Sequence, residues 1–142
     1  MDTLAALKLT REGAMKVLEA ALREAQITGR PVSVAVVDDG GHLLAFSRTD
    51  HAELYTIPIA VAKARGAALT RFPTGKKSPT GIERSDHQAL AITLAAGTDS
   101  FVSIPGGIPI FSNGQLIGAV AVSGAGRKDE EIARSAAAVL GK

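Results

Sequence analysis

Cysteine and tryptophan are both missing from this chain of 142 residues, and aromatic side chains make up only 4% of it. Without cysteine there can be no disulfide, no thiol nucleophile and no thiolate metal site. The absence also fits a reducing compartment. Few aromatic side chains mildly favour a small ligand over a large flat one, which usually needs bulky apolar walls.

The chain also lacks a strong charge of either sign, because 16 basic residues are offset by 14 acidic ones. The most basic segment, Arg71 to Arg84, contains a single aromatic residue, Phe72, and this pattern argues against nucleic-acid binding. No apolar run approaches the roughly 20 residues of a membrane span, and the N-terminus does not resemble a signal peptide. We therefore expect one domain, residues 1–142, in the cytoplasm, with no membrane or nucleic-acid partner.

Periodicity and capping residues predict four helices and five strands. The helices are expected at 10–28 with Thr10 as N-cap, 55–69 with Thr56 as N-cap, 85–95 with Ser85 as N-cap, and from about 128 onward. The strands are expected at 32–37, 42–46, 100–104, 108–111 and 115–123. Residues 71–88 are polar, contain proline and glycine, and are predicted to form a loop.

The arrangement of these elements predicts the fold. Asn113-Gly114 is a strong type I′ hairpin signal. The strand after it is apolar at nearly every position, so it should be central and covered on both faces. This indicates an α+β fold, a profilin-like α/β/α sandwich with a five-stranded antiparallel sheet of order 2-1-5-4-3 and helices on both faces.

The turn Pro105-Gly106-Gly107 is the sharpest candidate for a binding site. Proline fixes the first central position of a tight turn, and glycine allows the positive φ at the second. A second glycine leaves the backbone bare, so its N–H groups could hold a carboxylate or another anion. The alternative is a plain turn between two strands.

The three imidazoles, His42, His51 and His87, match no zinc spacing, so no metal cluster is predicted. Any one of them could still be an axial ligand of haem or cobalt. His51 is the best candidate, because it begins the loop after the second strand. The alternative for each is an ordinary surface histidine.

Charged side chains supply the remaining candidates. Lys63 lies on an alanine-rich helix, where a buried ammonium would need a partner or a ligand and an exposed one would simply be solvated. Asp38 and Arg48 lie at opposite ends of the first hairpin. Ser123, His51 and Asp38 are the residue types of a catalytic triad, but nothing in the sequence indicates that they lie close together.

Five segments taken together resemble the GlcG/HbpS-like family, whose members include the C-terminal domain of PduO-type corrinoid proteins and which is often labelled haem-degrading. The segments are VAVVDDGGHLLAFSRTD at 34–50, VAKARGAA at 61–68, PGGIPI at 105–110, GQLIGAVAVSGAG at 114–126 and DEEIARSAA at 129–137. The similarity extends over about residues 8–140.

The resemblance implies a profilin-like fold, a small ligand that is haem or a corrinoid in some members, and assembly into a homo-oligomer. It also implies ligand-binding roles for the residues at matching positions, which are Asp38, Arg48, Lys63, Pro105, Gly106, Gly107 and Ser123. One departure concerns His51, because the family commonly has Asp-Gly-Ala where this chain has Asp50-His51-Ala52. The histidine either adds a ligand or fills the pocket.

Three functions follow from these observations. The first is a small-ligand-binding protein for haem, a corrinoid or a smaller anion. The second is an enzyme acting on a carboxylated metabolite, with Lys63 or His51 as general acid/base and the Pro-Gly-Gly turn as the carboxylate or oxyanion site. The third is a domain whose fold serves only to build an oligomer, to which alanine-rich helices are suited.

Overall fold

The computed structural model describes residues 1–140, which form four helices and four strands. The helices are α1, Arg11–Thr28, α2, Thr56–Thr70, α3, Asp86–Ala96, and α4, Asp129–Ala137. The strands are β1, Ser33–Asp38, β2, Leu43–Arg48, β3, Gly107–Ser112, and β4, Gln115–Ser123. A 3-10 turn, Gly126–Lys128, precedes α4.

The strands form one antiparallel sheet of order β2-β1-β4-β3. The α+β class and the antiparallel order are confirmed, but the prediction of five strands is wrong. Residues 100–104 form no strand, because the N–H groups of Ser100 and Phe101 both donate to the Gly97 carbonyl and turn the chain after α3. Removing that strand from the predicted order leaves the observed one.

Apolar side chains cover the sheet on both faces, as the unbroken apolar pattern of β4 predicts. On one face α1 and α4 pack against valines of the two central strands, and on the other α2 packs against smaller residues of the same strands. The smaller residues include Ala35, Ala119 and Ala121, all fully buried. Alanine on both helix and sheet lets α2 approach closely.

Local signals place most helix and turn boundaries correctly. The Thr10 side chain accepts a hydrogen bond from the Gly13 N–H, and Gly29 ends α1 with a φ of 73°. Ser85 forms a capping box with Gln88 at the start of α3. The prediction that Thr56 is an N-cap is wrong, because its hydroxyl donates to the Glu53 carbonyl and contacts the Ser33 hydroxyl.

Candidate functional site

A buried ion pair joins α2 to the start of α4. The Lys63 side chain points inward and the residue is only 1% exposed. Its Nζ donates to the Val122 carbonyl at 2.9 Å and lies 3.1 Å from Oδ2 of Asp129. Of the two environments that the sequence allowed for Lys63, the structure therefore has the buried one.

Asp129 has two roles in this cluster. Its Oδ2 accepts from Lys63, and its Oδ1 accepts from the Ala125 N–H at 2.8 Å in the loop before α4. Burial lowers the pKa of the Lys63 ammonium, and the nearby Asp129 carboxylate only partly offsets that effect. Sequence reasoning assigned Asp129 only to the helix dipole, although a buried lysine in the same fold needs an acidic partner.

The Pro-Gly-Gly turn lies directly beside the ion pair. Gly106 and Gly107 are buried. A Cβ on Gly106 would lie 2.7 Å from the Val122 carbonyl oxygen and 2.8 Å from Lys63 Nζ. A Cβ on Gly107 would collide with the Lys63 carbonyl. Close packing against α2 and β4 therefore requires both glycines.

Backbone groups of this turn are already hydrogen-bonded to other parts of the protein. The Gly107 N–H donates to the Thr74 hydroxyl at 2.9 Å, and the Gly107 carbonyl accepts from the Thr74 N–H. The Gly106 carbonyl accepts from the Val122 N–H at 3.0 Å. An anion bound to the Gly107 N–H would have to displace the Thr74 hydroxyl, a contact that the sequence did not reveal.

Asp38 is the last residue of β1, next to the β1–β2 turn and away from the ion pair. Its Oδ1 accepts from the N–H groups of Gly40 and His42, both at 2.9 Å, and lies 3.2 Å from the His42 imidazole. Partial burial by itself would raise the pKa of Asp38, but these contacts with His42 and Gly40 outweigh it, and the pKa is lowered. This arrangement stabilises the turn.

Arg48 and Ser123 lie in one row at the other end of the sheet. Ser33 of β1 pairs with Arg48 on one side and with Ser123 on the other. Arg48 is exposed, whereas Ser123 is buried. Ser123 directly follows Val122, whose carbonyl accepts from Lys63 and whose N–H donates to Gly106. Ser123 and its row therefore lie at the same end of the sheet as Lys63 and the Pro-Gly-Gly turn, whereas Asp38 pairs with Gly118 at the opposite end.

His51 lies in a tight turn after β2. The Ala52 N–H donates to the Thr49 carbonyl at 3.2 Å, which makes Asp50 and His51 the two central residues. His51 has a φ of 71°, the left-handed conformation that favours glycine. The glycine that the resemblance leads us to expect here would suit this turn, and His51 keeps the turn at some cost in strain while presenting an exposed imidazole.

An open groove of about 580 Å³ lies next to this turn, between the end of α1 and the end of β2. Leu22, Ala25 and Pro31 supply apolar walls, and polar groups surround them: Gln26, Arg30, Ser47, Thr49, Asp50 and His51. The imidazole of His51 makes no hydrogen bond to another residue within 1–140 and is free to contact a bound molecule. Arg48 is flanked by two groove residues, but strand alternation turns its side chain to the α2 face of the sheet.

Neither a metal cluster nor a membrane-spanning helix occurs in the described part of the chain. Within residues 1–140, no three side chains of the histidine, aspartate or glutamate type come together as a metal cluster would require. No helix in this range combines the length and apolarity of a membrane span. The cytoplasmic location remains a prediction.

Similarity to known proteins was found in sequence and in structure. The family model described as "Haem degrading protein HbpS-like" matches residues 9–138. Protein GlcG of Escherichia coli K12 is 40% identical over 115 residues, 81% of each chain. A double mutant of Streptomyces reticuli HbpS has 32% identity and a TM-score of 0.78, over 99% of this chain and 92% of that one.

A more distant structure has the same fold. The crystal structure of the PduOC:heme complex superimposes with a TM-score of 0.75 at 24% identity, over 94% of this chain and 96% of that one. The family model, the alignment with GlcG and the superposition on HbpS each extend over most of the chain. The protein therefore belongs to the HbpS-like family.

Proposed function

We propose that this protein binds a small ligand in the groove beside His51, and that haem or a corrinoid is the ligand class to test first. The observation that carries the proposal is the exposed imidazole at the edge of an apolar groove. The groove volume of about 580 Å³ falls within the roughly 300–1,000 Å³ typical of ligand sites. The haem-degrading description of the family and the haem bound to the related PduOC protein support the choice of haem.

The groove residues fit such a group by their chemistry. His51 would be the axial ligand, since its ring nitrogens are not held by other residues of the described chain. Leu22, Ala25 and Pro31 would contact the macrocycle, and Arg30 would attract a propionate. Bound haem would supply an iron capable of ligand binding and redox change, while the chain contributes the imidazole, the apolar walls and the cation.

Haemin titration followed by the Soret band tests this proposal. The wild-type protein should shift the band, and His51→Ala should lose the shift. His87→Ala is the matched control, because His87 is also exposed but lies in the first turn of α3. A parallel titration with hydroxocobalamin tests the corrinoid. No spectral change with either probe, or equal binding by His51→Ala, would overturn the proposal.

A small-molecule enzyme is the second candidate, and the burial of Lys63 with its lowered pKa favours it. Three observed contacts count against it, since Asp129 and Val122 already hold the ammonium and Thr74 holds the Gly107 N–H. Amide NMR with a series of small carboxylates separates the candidates. Shifts centred on Gly106, Gly107 and Lys63 would favour the enzyme, whereas shifts centred on His51 would favour the groove.

A further inference from the structure

Asn113 is the only asparagine of the chain, and it precedes Gly114 at the tip of the β3–β4 hairpin. Both residues are exposed, and both have the positive φ of a type I′ turn, 50° and 75°. Nothing lies within 4 Å of a Cβ built on Gly114, so no neighbouring group shields this side of its backbone. A carboxamide side chain is therefore followed directly by an unhindered backbone nitrogen.

The side chain of Asn113 and the backbone nitrogen of Gly114 are also free of other partners. Ser112 and Gln115 form the last pair of the hairpin, which leaves the two central residues outside the ladder. Within residues 1–140, neither the Asn113 carboxamide nor the Gly114 N–H makes a hydrogen bond to another residue. Both groups are thus available to react with each other.

We propose that Asn113 is a site of spontaneous covalent modification, where it deamidates through a succinimide formed with Gly114. The Gly114 nitrogen attacks Cγ of Asn113, a new C–N bond closes the ring, and the bond from Cγ to Nδ2 breaks. The proton of the Gly114 nitrogen leaves with Nδ2 as ammonia, so the step needs neither oxidant nor reductant. Water then adds to either ring carbonyl, which gives aspartate or isoaspartate at position 113.

A second turn of similar sequence is protected by its hydrogen bonds. Asp39-Gly40, between β1 and β2, has the residue types to close the same ring. There, however, the Gly40 N–H donates to Oδ1 of Asp38 at 2.9 Å, and the Asp39 carboxylate pairs with Lys8 at 2.9 Å. Both reacting groups of that turn are already engaged, so the structure singles out Asn113 as the reactive position.

The place of Asn113 in the hairpin favours the local opening that ring closure requires. The carboxamide carbon reaches the Gly114 nitrogen only when Asn113 rotates out of its turn conformation. Phe111 and Gln115, on either side of the turn, are exposed, so opening the tip uncovers little additional apolar surface. Segments with few buried contacts open at the smallest cost in free energy.

The two products affect the hairpin differently. Aspartate preserves it, because Asp-Gly also favours a type I′ turn. Isoaspartate adds a methylene group to the main chain, so a two-residue turn no longer fits between Ser112 and Gln115. The Gln115 side chain accepts a hydrogen bond from the Leu7 N–H at 2.9 Å. We therefore expect isoaspartate, but not aspartate, to weaken the attachment of the N-terminal segment.

Incubation of the folded full chain at mildly alkaline pH, followed by peptide mapping, tests the proposal. Chymotrypsin cuts after Phe111 and Leu116 and releases residues 112–116. In the wild type this peptide should gain the mass difference between a carboxyl and a carboxamide group. It should also separate into two forms that co-elute with synthetic aspartate and isoaspartate peptides. Asn113→Gly is the matched control and should show no gain, and Gly114→Ala should slow the reaction severalfold because its methyl group hinders the nitrogen.

Three results would overturn the proposal. The first is a wild type that stays unmodified long after the free 112–116 peptide has reacted completely. The second is aspartate without isoaspartate, because direct hydrolysis by water gives aspartate alone. The third is an equal mass gain in Asn113→Gly. None of them depends on whether the His51 groove binds a ligand.

Amide hydrogen exchange tests the effect on the N-terminal segment. The Leu7 amide should exchange faster in the purified isoaspartate form than in the Asn113→Asp variant, which keeps the turn. Equal exchange in the two proteins would show that the contact of Leu7 with Gln115 does not depend on the turn, and this consequence would be wrong.

Discussion

The Lys63 ammonium and the Asp129 carboxylate form a buried ion pair, 3.1 Å apart, that connects α2 with the first residue of α4. Both side chains are more than nine-tenths buried, so neither charge can be solvated if the other is removed. The pair also lies against Gly106, so it connects the two helix layers and the Pro-Gly-Gly turn at one point. We expect that removing either partner alone costs more stability than breaking a surface ion pair.

Lys63→Met should lower the free energy of unfolding by about 3–5 kcal/mol, because it leaves the Asp129 carboxylate buried and without its counter-ion. Lys76→Met is the matched control, since Lys76 pairs with Asp86 at 2.9 Å on the surface. It should change the free energy of unfolding much less, because both charges of this surface pair stay solvated when the other is removed. Urea denaturation at neutral pH measures both.

Adding Asp129→Asn to Lys63→Met should restore part of the lost stability, because the amide can still accept from the Ala125 N–H but carries no charge. A Lys63→Met cost no larger than that of the surface control would contradict the assignment of a strong buried pair.

Asp38 should make stability depend on pH in the acidic range. Its pKa is lowered in the folded protein below the ordinary value of 3.8, so the folded state binds the proton less readily than the unfolded state. Its contribution is therefore fully present above about pH 4 and is lost as the pH falls through the lowered value. Asp38→Asn should reduce the free energy of unfolding at pH 6, and the difference from wild type should shrink towards pH 3. A difference that stays constant over this range would contradict this prediction.

The sequence predicts the sheet order and both covered faces because these follow from long local patterns. The unbroken apolar run of β4 requires cover on both sides, and Asn113-Gly114 forces a tight hairpin with φ values of 50° and 75°. Residues 100–104 have the composition of a strand, but the hydrogen bonds of Ser100 and Phe101 to Gly97 take precedence. Composition does not show whether such a segment will form a local turn or pair with the edge strand of a sheet.

The candidate site was harder to predict because its key contacts join residues far apart in the chain. Lys63 and Asp129 are 66 positions apart, and Thr74 reaches Gly107 over 33 positions. The periodicity of apolar residues indicates which positions share a face of one helix or strand, so it gives no sign of such distant contacts. His51 could be singled out by its residue type, but its left-handed backbone becomes visible only in the folded turn.

His51→Gly should raise the free energy of unfolding by about 1 kcal/mol, since glycine adopts the φ of 71° without the steric cost that histidine bears. The same variant should lose haemin binding, because it removes the imidazole. Asn113→Gly is the matched control, as asparagine at a φ of 50° tolerates this conformation better and should change stability less. Urea denaturation and the Soret titration on the same preparations separate the two effects. A His51→Gly variant less stable than wild type would show that the imidazole stabilises the fold instead.

Gly106→Ala should strongly destabilise the protein, because the new methyl group has no room. It would lie 2.7 Å from the Val122 carbonyl oxygen and 2.8 Å from Lys63 Nζ, at a φ of 134° that side chains rarely adopt. Displacing Lys63 would also disturb its pair with Asp129, so we expect a cost of about 3 kcal/mol or more.

Gly114→Ala is the matched control for this prediction. Gly114 also has a positive φ, 75°, but nothing lies within 4 Å of a Cβ built there, so only the backbone cost of about 1–2 kcal/mol should appear. Urea denaturation of both variants measures the difference, and crystallography of Gly106→Ala would show whether Lys63 moves. If Gly106→Ala lowered the free energy of unfolding no more than Gly114→Ala does, this prediction would be wrong. Gly106 would then be required only for its backbone conformation, and not for its close contact with Lys63 and Val122.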